Sequence, residues 1–562
     1  MRGHPEHTAA AARYAVEVQA FSSSPMFRFD GLRSGIIEEV TERIVDAHAG
    51  VASTVEPLDQ LLNELVIHEQ KRLRTVRPPD TALDRRRVED IARALQRRAT
   101  DGELLELLRR QTRAYAHDIA GSFSTPTYKV ATNVLPSVLS LLFTPQHLRT
   151  GDFGLGALDA RVRIDGDLEQ LRRLAETGVL IVVPTHLSNL DSPLVGYALM
   201  RAGLPPMAYG AGKNLFSSPL TSFFMARLGA YKVDRRLGFP LYKEILKTFS
   251  QVILEEGLHS IFFPGGTRSR SGAVESKLKL GLAGTALSAY VEQLRTLGPG
   301  ARRFYFVPMT LNTPLVLEAE TLIEDHLKDL GKNRYIIEDD EFTRMGRLAT
   351  YARKVMTMDQ ALELRFCAPR DPFGNRVDGS GRSLDARGRE VDPARYVMRD
   401  GVVTHHAGRD AEYTRELGRH LVDDFREGTS YFSTHLVSAA LFAYLEAEIP
   451  GSDLYQRLRH PRRLAVDAAL LARNVDAVKA AIEDAPALGR LARRVAGMNG
   501  REIVDDALAA FSGYHTRSAA ERRGEVVELV DRELILYYRN RLAHHGPALD
   551  AARSVRQAGG ES

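Results

Sequence analysis

The stretch Val179-Leu-Ile-Val-Val-Pro184-Thr-His186-Leu-Ser-Asn-Leu-Asp191-Ser-Pro193 decides the fold. Five consecutive apolar residues, mostly β-branched, stop at a proline, as a strand buried on both faces does. Polar residues follow. Asp191 then stands where a helix would begin, with Pro193 in its first turn. Two more short apolar runs end the same way: Ile261-Phe-Phe263 at Pro264 and Phe304-Tyr-Phe-Val307 at Pro308. Amphipathic stretches, Pro240 to Glu256 and Gly281 to Leu294, lie between them. Strand alternating with helix predicts an α/β layer built on a central, mostly parallel sheet with flanking helices. Ligands of such sheets bind where the strands end.

On either side the texture is helical. Ile36, Ile37, Val40, Ile44 and Val45 recur at helical spacing, as do Leu61, Leu62, Leu65 and Val66, then Leu104, Leu105 and Leu108. Pro78-Pro79 breaks this region in two. Residues 369–400 are polar and rich in Gly, Asp and Arg, which reads as turns and short hairpins. Helical patterning returns from about 408 to 545, and residues 546–562 read as a frayed tail. No internal repeat is evident. At roughly 100–200 residues per domain, the expected blocks are an N-terminal helical region (1–125), an α/β domain (126–370), a turn and hairpin segment (371–405) and a C-terminal helical region (406–562).

Composition narrows the function classes. With 76 Lys and Arg against 72 Asp and Glu, the net charge of +4 argues against nucleic-acid binding by the whole chain. One cysteine, Cys367, permits no internal disulfide and reads as a packing residue. Val130 to Phe143 falls short of the roughly 20 residues a membrane-spanning helix needs. No signal peptide or transmembrane helix is expected. No metal site is expected either, since the adjacent pairs His405-His406 and His544-His545 point in different directions.

The chemistry gathers at the strand ends. A carboxylate at Asp191 can fix the tautomer of His186, leaving the other ring nitrogen as a base. In isolation that spacing fits better a surface histidine beside a helix-capping aspartate. Lys213, Lys232, Arg235 and Arg236 concentrate charge after the next stretch. Gly210-Ala-Gly-Lys213 lacks the first glycine of a nucleotide phosphate loop, Met207 standing in its place. In Pro264-Gly-Gly-Thr-Arg268-Ser-Arg270, the amides of Gly265 and Gly266 are candidate oxyanion donors. Arg268 and Arg270 can clamp phosphate.

Together these stretches resemble the four blocks of the glycerolipid acyltransferase family. His186 and Asp191 match its H-x4-D block. Lys213, Pro219, Gly229, Asp234 and Arg235 match the second. Pro264, Gly266, Thr267, Arg268 and Ser269 match the third. Val307, Pro308 and Glu318 match the fourth. Ser433-Thr-His-Leu-Val437 and Tyr537-Tyr-Arg-Asn-Arg-Leu-Ala-His544 are similar to stretches of the large glycerol-3-phosphate acyltransferases. Two departures stand out. Gly265 replaces the third block's glutamate, whose role is then missing or supplied elsewhere, and Thr313-Pro314-Leu315 replaces Tyr-Asp-Arg.

The resemblance implies transfer of a fatty acyl group from acyl-CoA or acyl-carrier protein to glycerol 3-phosphate. His186 and Asp191 would be catalytic, and Lys213, Arg235, Arg268 and Arg270 would hold the phosphate. No cofactor beyond the thioester co-substrate is needed, and the reaction would sit at the cytoplasmic face of a membrane, on a peripherally bound enzyme. The alternatives are a lysophosphatidate or dihydroxyacetone-phosphate acyltransferase, a thioesterase, and an inactive membrane-surface scaffold. The absence of a G-x-S-x-G elbow counts against a serine hydrolase.

Overall fold

A computed structural model describes residues 24–49, 57–75, 82–132, 161–212, 227–234, 237–330 and 362–559. Four helices come first: α1 (Phe29–Ala49), α2 (Leu58–Thr75), α3 (Ala82–Gln96) and α4 (Asp101–Ile119). Pro78-Pro79 and most of Val130 to Phe143 lie outside the described residues, although α2 ends and α3 begins on either side of the proline pair. The central unit follows as β1 (Val162–Asp165), α5 (Leu168–Thr177), β2 (Gly178–Pro184), α6 (Asp191–Arg201), β3 (Ala208–Gly212), β4 (Ala230–Val233), α7 (Pro240–Glu255), β5 (Ser260–Ile261), α8 (Ala283–Leu297), β6 (Arg303–Asn312), α9 (Ala319–Leu330) and β7 (Leu362–Phe366).

The seven strands order as β1-β7-β6-β2-β5-β3-β4. From β6 to β4 every pair is parallel. β7 runs antiparallel to β6, and β1 runs parallel to β7. The sheet is therefore mostly parallel, as expected. Its β2 run explains itself by alternation. Val179, Ile181 and Val183 pack with Phe304, Phe306 and α8 on one face. Leu180 and Val182 pack with Tyr305, Val307 and α5 on the other. A strand covered on both faces needs no polar residue, and each such buried side chain contributes about 1.5–3 kcal/mol.

β6 corrects one expectation. It does not stop at Pro308 but continues to Asn312. Proline cannot donate, yet its carbonyl still accepts from Cys367 N–H at 2.8 Å, so the ladder passes through it. The N-terminal helices do not close a core of their own. Ile36, Val40, Ile44, Leu65 and Leu108 share a cluster with Tyr242, Ile245 and Phe249 of α7.

The hairpin segment holds the repeat that its sequence was expected to lack. Asp371, Asp378 and Asp385 are spaced by seven residues, each followed three residues later by Gly374, Gly381 or Gly388. Each aspartate Oδ1 accepts backbone N–H groups two and four residues on. Each glycine adopts a positive φ, between +74° and +90°, that closes the turn. The turns lead into short strands β8 (Arg376–Val377), β9 (Ser383–Leu384) and β10 (Glu390–Val391), paired antiparallel.

Beyond lie α10 (Ala407–Gly428), α11 (Ser433–Glu448), α12 (Ala468–Glu483), α13 (Gly500–Tyr514), α14 (Arg532–Arg539) and α15 (Gly546–Gly559). Residues Leu464–Asp467, Ala520–Arg523 and Val526–Leu529 add a small antiparallel sheet that helical patterning does not foretell. The expected frayed tail is in fact α15: Ala548 and Ala552 are buried, and Asn474 Nδ2 donates to the Ala552 carbonyl at 2.9 Å. α11 is buried on every side from Ser433 to Leu445, the mark of a central core helix.

Arg370 ties the hairpins to this body. Its Nε and Nη2 bind the two oxygens of Asp424 on α10 at 2.5 and 2.7 Å, and both side chains are under 10% exposed. Burial raises the Asp424 carboxyl, and the Arg370 hydrogen bond and charge oppose that rise. Arg370→Ala leaves a buried, unpaired carboxylate. The expected loss is about 3–5 kcal/mol, read as a fall in the chemical-denaturation midpoint against the parent chain.

Candidate active site

β2 delivers the chain to a tight turn. Past Pro184, Thr185 N–H donates to the Met309 carbonyl at 2.9 Å and Thr185 Oγ1 accepts from Leu311 N–H at 3.0 Å, so the turn starts against β6. Asp191 opens α6 and gathers the turn around one oxygen. Its Oδ2 accepts from Leu187 N–H at 2.5 Å and Ser188 N–H at 2.8 Å, and lies 2.8 Å from His186 Nδ1. A carboxylate at a helix N-terminus is well placed to accept all three. With Nδ1–H donating, Nε2 carries the lone pair. The His186 side chain keeps 18% exposure while Asp191 has 4%, so the ring faces outward from a buried anchor. The Phe263 ring packs beside it, centroids 4.4 Å apart.

A second carboxylate lies under the turn. Glu318, 1% exposed in its side chain, accepts from Ser188 Oγ at 2.9 Å, Asn189 N–H at 3.0 Å and Arg268 Nη1 at 3.1 Å. Burial raises its carboxyl above the ordinary range, and the Arg268 charge opposes that. The resemblance marked Glu318 without a role; the structure makes it the floor of the 186–191 turn and the partner of Arg268.

The end of β5 supplies the facing loop. Gly266, at φ +71°, donates its N–H to the Phe263 carbonyl at 3.1 Å. That amide is engaged in the turn itself, which counts against Gly266 as an oxyanion donor. The Gly265 amide has no hydrogen-bond partner among the described residues. Ser269 N–H donates to the His186 carbonyl at 2.8 Å, joining the two loops. Lys279 lies across the glycine turn: a Cβ on Gly266 would come within 2.8 Å of its Nζ. Arg268 is therefore beside the His186 turn. Arg270 points away from it, to Asp329 on α9 at 2.5 Å. Lys213 and Arg235 lie outside the described residues.

Sequence reasoning missed Glu275. Its Oε1 accepts from His186 N–H at 2.6 Å. The residue as a whole is half-buried, while its Oε2 is sealed from solvent. Burial pushes its carboxyl up to about 7, against the hydrogen bond from His186 and the charge of Arg541. A carboxyl that holds its proton more tightly when folded stabilises the chain fully below about 4.5, its ordinary value, and loses that contribution as pH rises through about 7. Glu275→Gln is expected to flatten the fall in melting temperature across that window, measured by thermal unfolding at stepped pH. An unchanged slope would assign the fall to other groups.

The C-terminal region closes the back of the site. Asn540 Nδ2 donates to the Ser271 carbonyl at 3.0 Å, and Gly272, at φ +79°, packs so closely that a Cβ would sit 2.2 Å from the Tyr537 carbonyl. Arg541, buried, donates from Nη2 to Asn312 Oδ1 at 3.0 Å. His435 Nδ1 accepts from Phe432 N–H at 3.0 Å, and burial pushes that imidazole down to about 3. Both stretches that the resemblance singled out in this region are thus packed behind the loops, not exposed on them.

Residues 165–312 match the family model described as Acyltransferase. That stretch is therefore an acyltransferase domain, in keeping with the resemblance of its motifs to the glycerolipid acyltransferases. The glycerol-3-phosphate acyltransferase of Pseudomonas putida (strain W619) is 30% identical over 173 residues, which are 31% of this chain and 20% of that protein. That of Pseudomonas aeruginosa (strain UCBPP-PA14) is 25% identical over 304 residues, 53% of this chain and 33% of that protein. The chain thus matches between a fifth and a third of the length of these relatives. Among solved structures, the 1-acyl-sn-glycerophosphate (LPA) acyltransferase of Thermotoga maritima aligns with a TM-score of 0.24 at 17% identity, over 48% of this chain and 73% of that one.

Proposed function

We propose that this chain moves a fatty acyl group from an acyl thioester to the hydroxyl of glycerol 3-phosphate, releasing the thiol and giving lysophosphatidate. The observation that carries the reading is the His186 ring, held through Nδ1 by buried Asp191 at a turn whose Ser188 and Asn189 share Glu318 with Arg268. Nε2 takes the proton of the acceptor hydroxyl as its oxygen attacks the thioester carbon. Arg268 faces the acceptor phosphate while Glu318 holds its guanidinium in place. Lys213 and Arg235 join it in this reading, while Arg270, paired with Asp329, does not. The tetrahedral oxyanion takes the Gly265 amide. Positioning of the two reactants and general-base help together supply the rate.

Among the described residues no helix is long and apolar enough to cross a membrane. The product is amphipathic, which favours a reaction at a membrane surface, and the resemblance implies its cytoplasmic face. The deciding experiment is product identification by mass spectrometry. The purified chain is given acyl-CoA or acyl-carrier protein with glycerol 3-phosphate, lysophosphatidate or dihydroxyacetone phosphate. Lysophosphatidate formed from glycerol 3-phosphate, with no thioester hydrolysis when acceptor is omitted, is the expected result. Preference for another acceptor would rename the alcohol, and free fatty acid as the main product would make the chain a thioesterase.

A further inference from the structure

We infer that Glu275 is the positioning residue for the His186 main chain, and that it works from position 275 in the space a side chain at 265 would otherwise fill. The inference deepens the proposed reaction and rests on His186 being its base.

Three observations carry it. First, the Glu275 Oε1 takes the His186 N–H at 2.6 Å. Ser269 N–H takes the His186 carbonyl, and Asp191 takes the ring. His186 is thus held at its N–H, its carbonyl and its imidazole by three different residues. Secondly, a Cβ built on Gly265 would lie 3.3 Å from both Cγ and Oε1 of Glu275. A glutamate at 265, the residue of the resembled block, and the glutamate at 275 would therefore compete for one space. Glycine at 265 leaves that space to the second carboxylate. Thirdly, Oε2 of Glu275 is buried with no hydrogen-bond partner among the described residues. A buried carboxyl oxygen left unpaired is destabilising, so packing alone does not favour a glutamate here.

The loop that carries Glu275 is rigid enough to position something. Lys279 N–H donates to the Pro264 carbonyl at 2.7 Å, and Asn540 holds Ser271. The C-terminal region thereby reaches the base through a single chain of contacts: Asn540 to Ser271, the loop to Glu275, and Glu275 to His186.

The test uses the full chain, with acyl-CoA and glycerol 3-phosphate as substrates. Glu275→Ala frees the His186 N–H and lets the ring drift. A misplacement of about 1 Å can lower the rate by roughly 10²-fold. The expected fall is in kcat, by about 10- to 100-fold, with KM for either substrate within about threefold. Glu275→Gln keeps an oxygen to accept the same bond and is expected to recover most of that loss. The decisive variant moves the carboxylate: in Glu275→Gly, adding Gly265→Glu should raise kcat at least about tenfold over Glu275→Gly alone. Trimming Glu275 removes two of the three nearest neighbours of that Cβ and leaves the Thr267 carbonyl at 3.3 Å.

Hydrogen–deuterium exchange of the peptide spanning His186 gives a second readout that needs no substrate. It should quicken in Glu275→Ala and slow again in the Gln and the transposed variants. A folded Glu275→Ala with parental kcat and parental exchange overturns the inference. So does a transposed pair no faster than Glu275→Gly, and this pair decides the matter if the alanine variant does not fold. Parental activity in His186→Ala sinks the reaction instead, and leaves the exchange result to judge Glu275 separately.

Discussion

His186→Ala is expected to lower the rate of acyl transfer by about 10²–10⁴-fold while the chain stays folded. The acceptor hydroxyl is a poor nucleophile until its proton leaves, and in the proposed reaction the imidazole at the end of β2 takes it. The fold does not depend on the ring. Asp191 keeps its bonds to Leu187 and Ser188 N–H when the imidazole is gone, so the turn retains its anchor. Glu318 keeps its bonds to Ser188 and Asn189. The side chain removed is partly exposed and gives up its bond to Asp191 and its contact with Phe263. The melting temperature should therefore stay within a few degrees of the parent. Initial rates with acyl-CoA and glycerol 3-phosphate, taken beside a thermal melt, check both halves. A folded variant within tenfold of the parental rate would remove His186 as the base.

What could be read in advance follows a physical divide. The β2 run was legible because a doubly covered strand must be apolar throughout, and the alternation of Val179 and Leu180 sends one to each face. The His186 turn was legible because Asp191 sits where a helix must start. Pro308 misled because proline usually ends a strand; here its carbonyl alone sustains the ladder to Cys367. α15 was hidden by its small residues. Ala548 and Ala552 bury completely by letting another helix approach closely, which leaves little hydrophobic periodicity to detect. The seven-residue repeat was present in the spacing of Asp371, Asp378 and Asp385 but buried in a polar stretch that reads as irregular turn. Glu275 carried no local signal at all. The single clue was the glycine at 265 where the resembled block has a carboxylate, and only folding shows which glutamate fills the gap.

Asp191→Asn should reach nearly the same loss of rate by a different route. The Asp191 Oδ2 accepts from two backbone amides and faces the His186 Nδ1. An amide side chain has one accepting oxygen and one donating nitrogen. If the oxygen stays with Leu187 and Ser188, it carries no charge to stabilise the imidazolium. If the nitrogen turns to the ring, Nδ1 must accept, and the proton moves to Nε2, where it blocks the base. Either outcome points to a fall of about 10²–10⁴. The variant differs from His186→Ala in stability, because the charge at the start of α6 is also lost, worth about 0.3–1 kcal/mol. The two positions should not add. Aspartate acts only through the histidine, so His186→Ala with Asp191→Asn should be no slower than His186→Ala alone, as expected of groups that work as one unit. A double variant slower than both by the product of their separate losses would mean that Asp191 touches the reaction independently of the ring. The rates of the four proteins in that cycle, measured at saturating acyl-CoA, settle which holds.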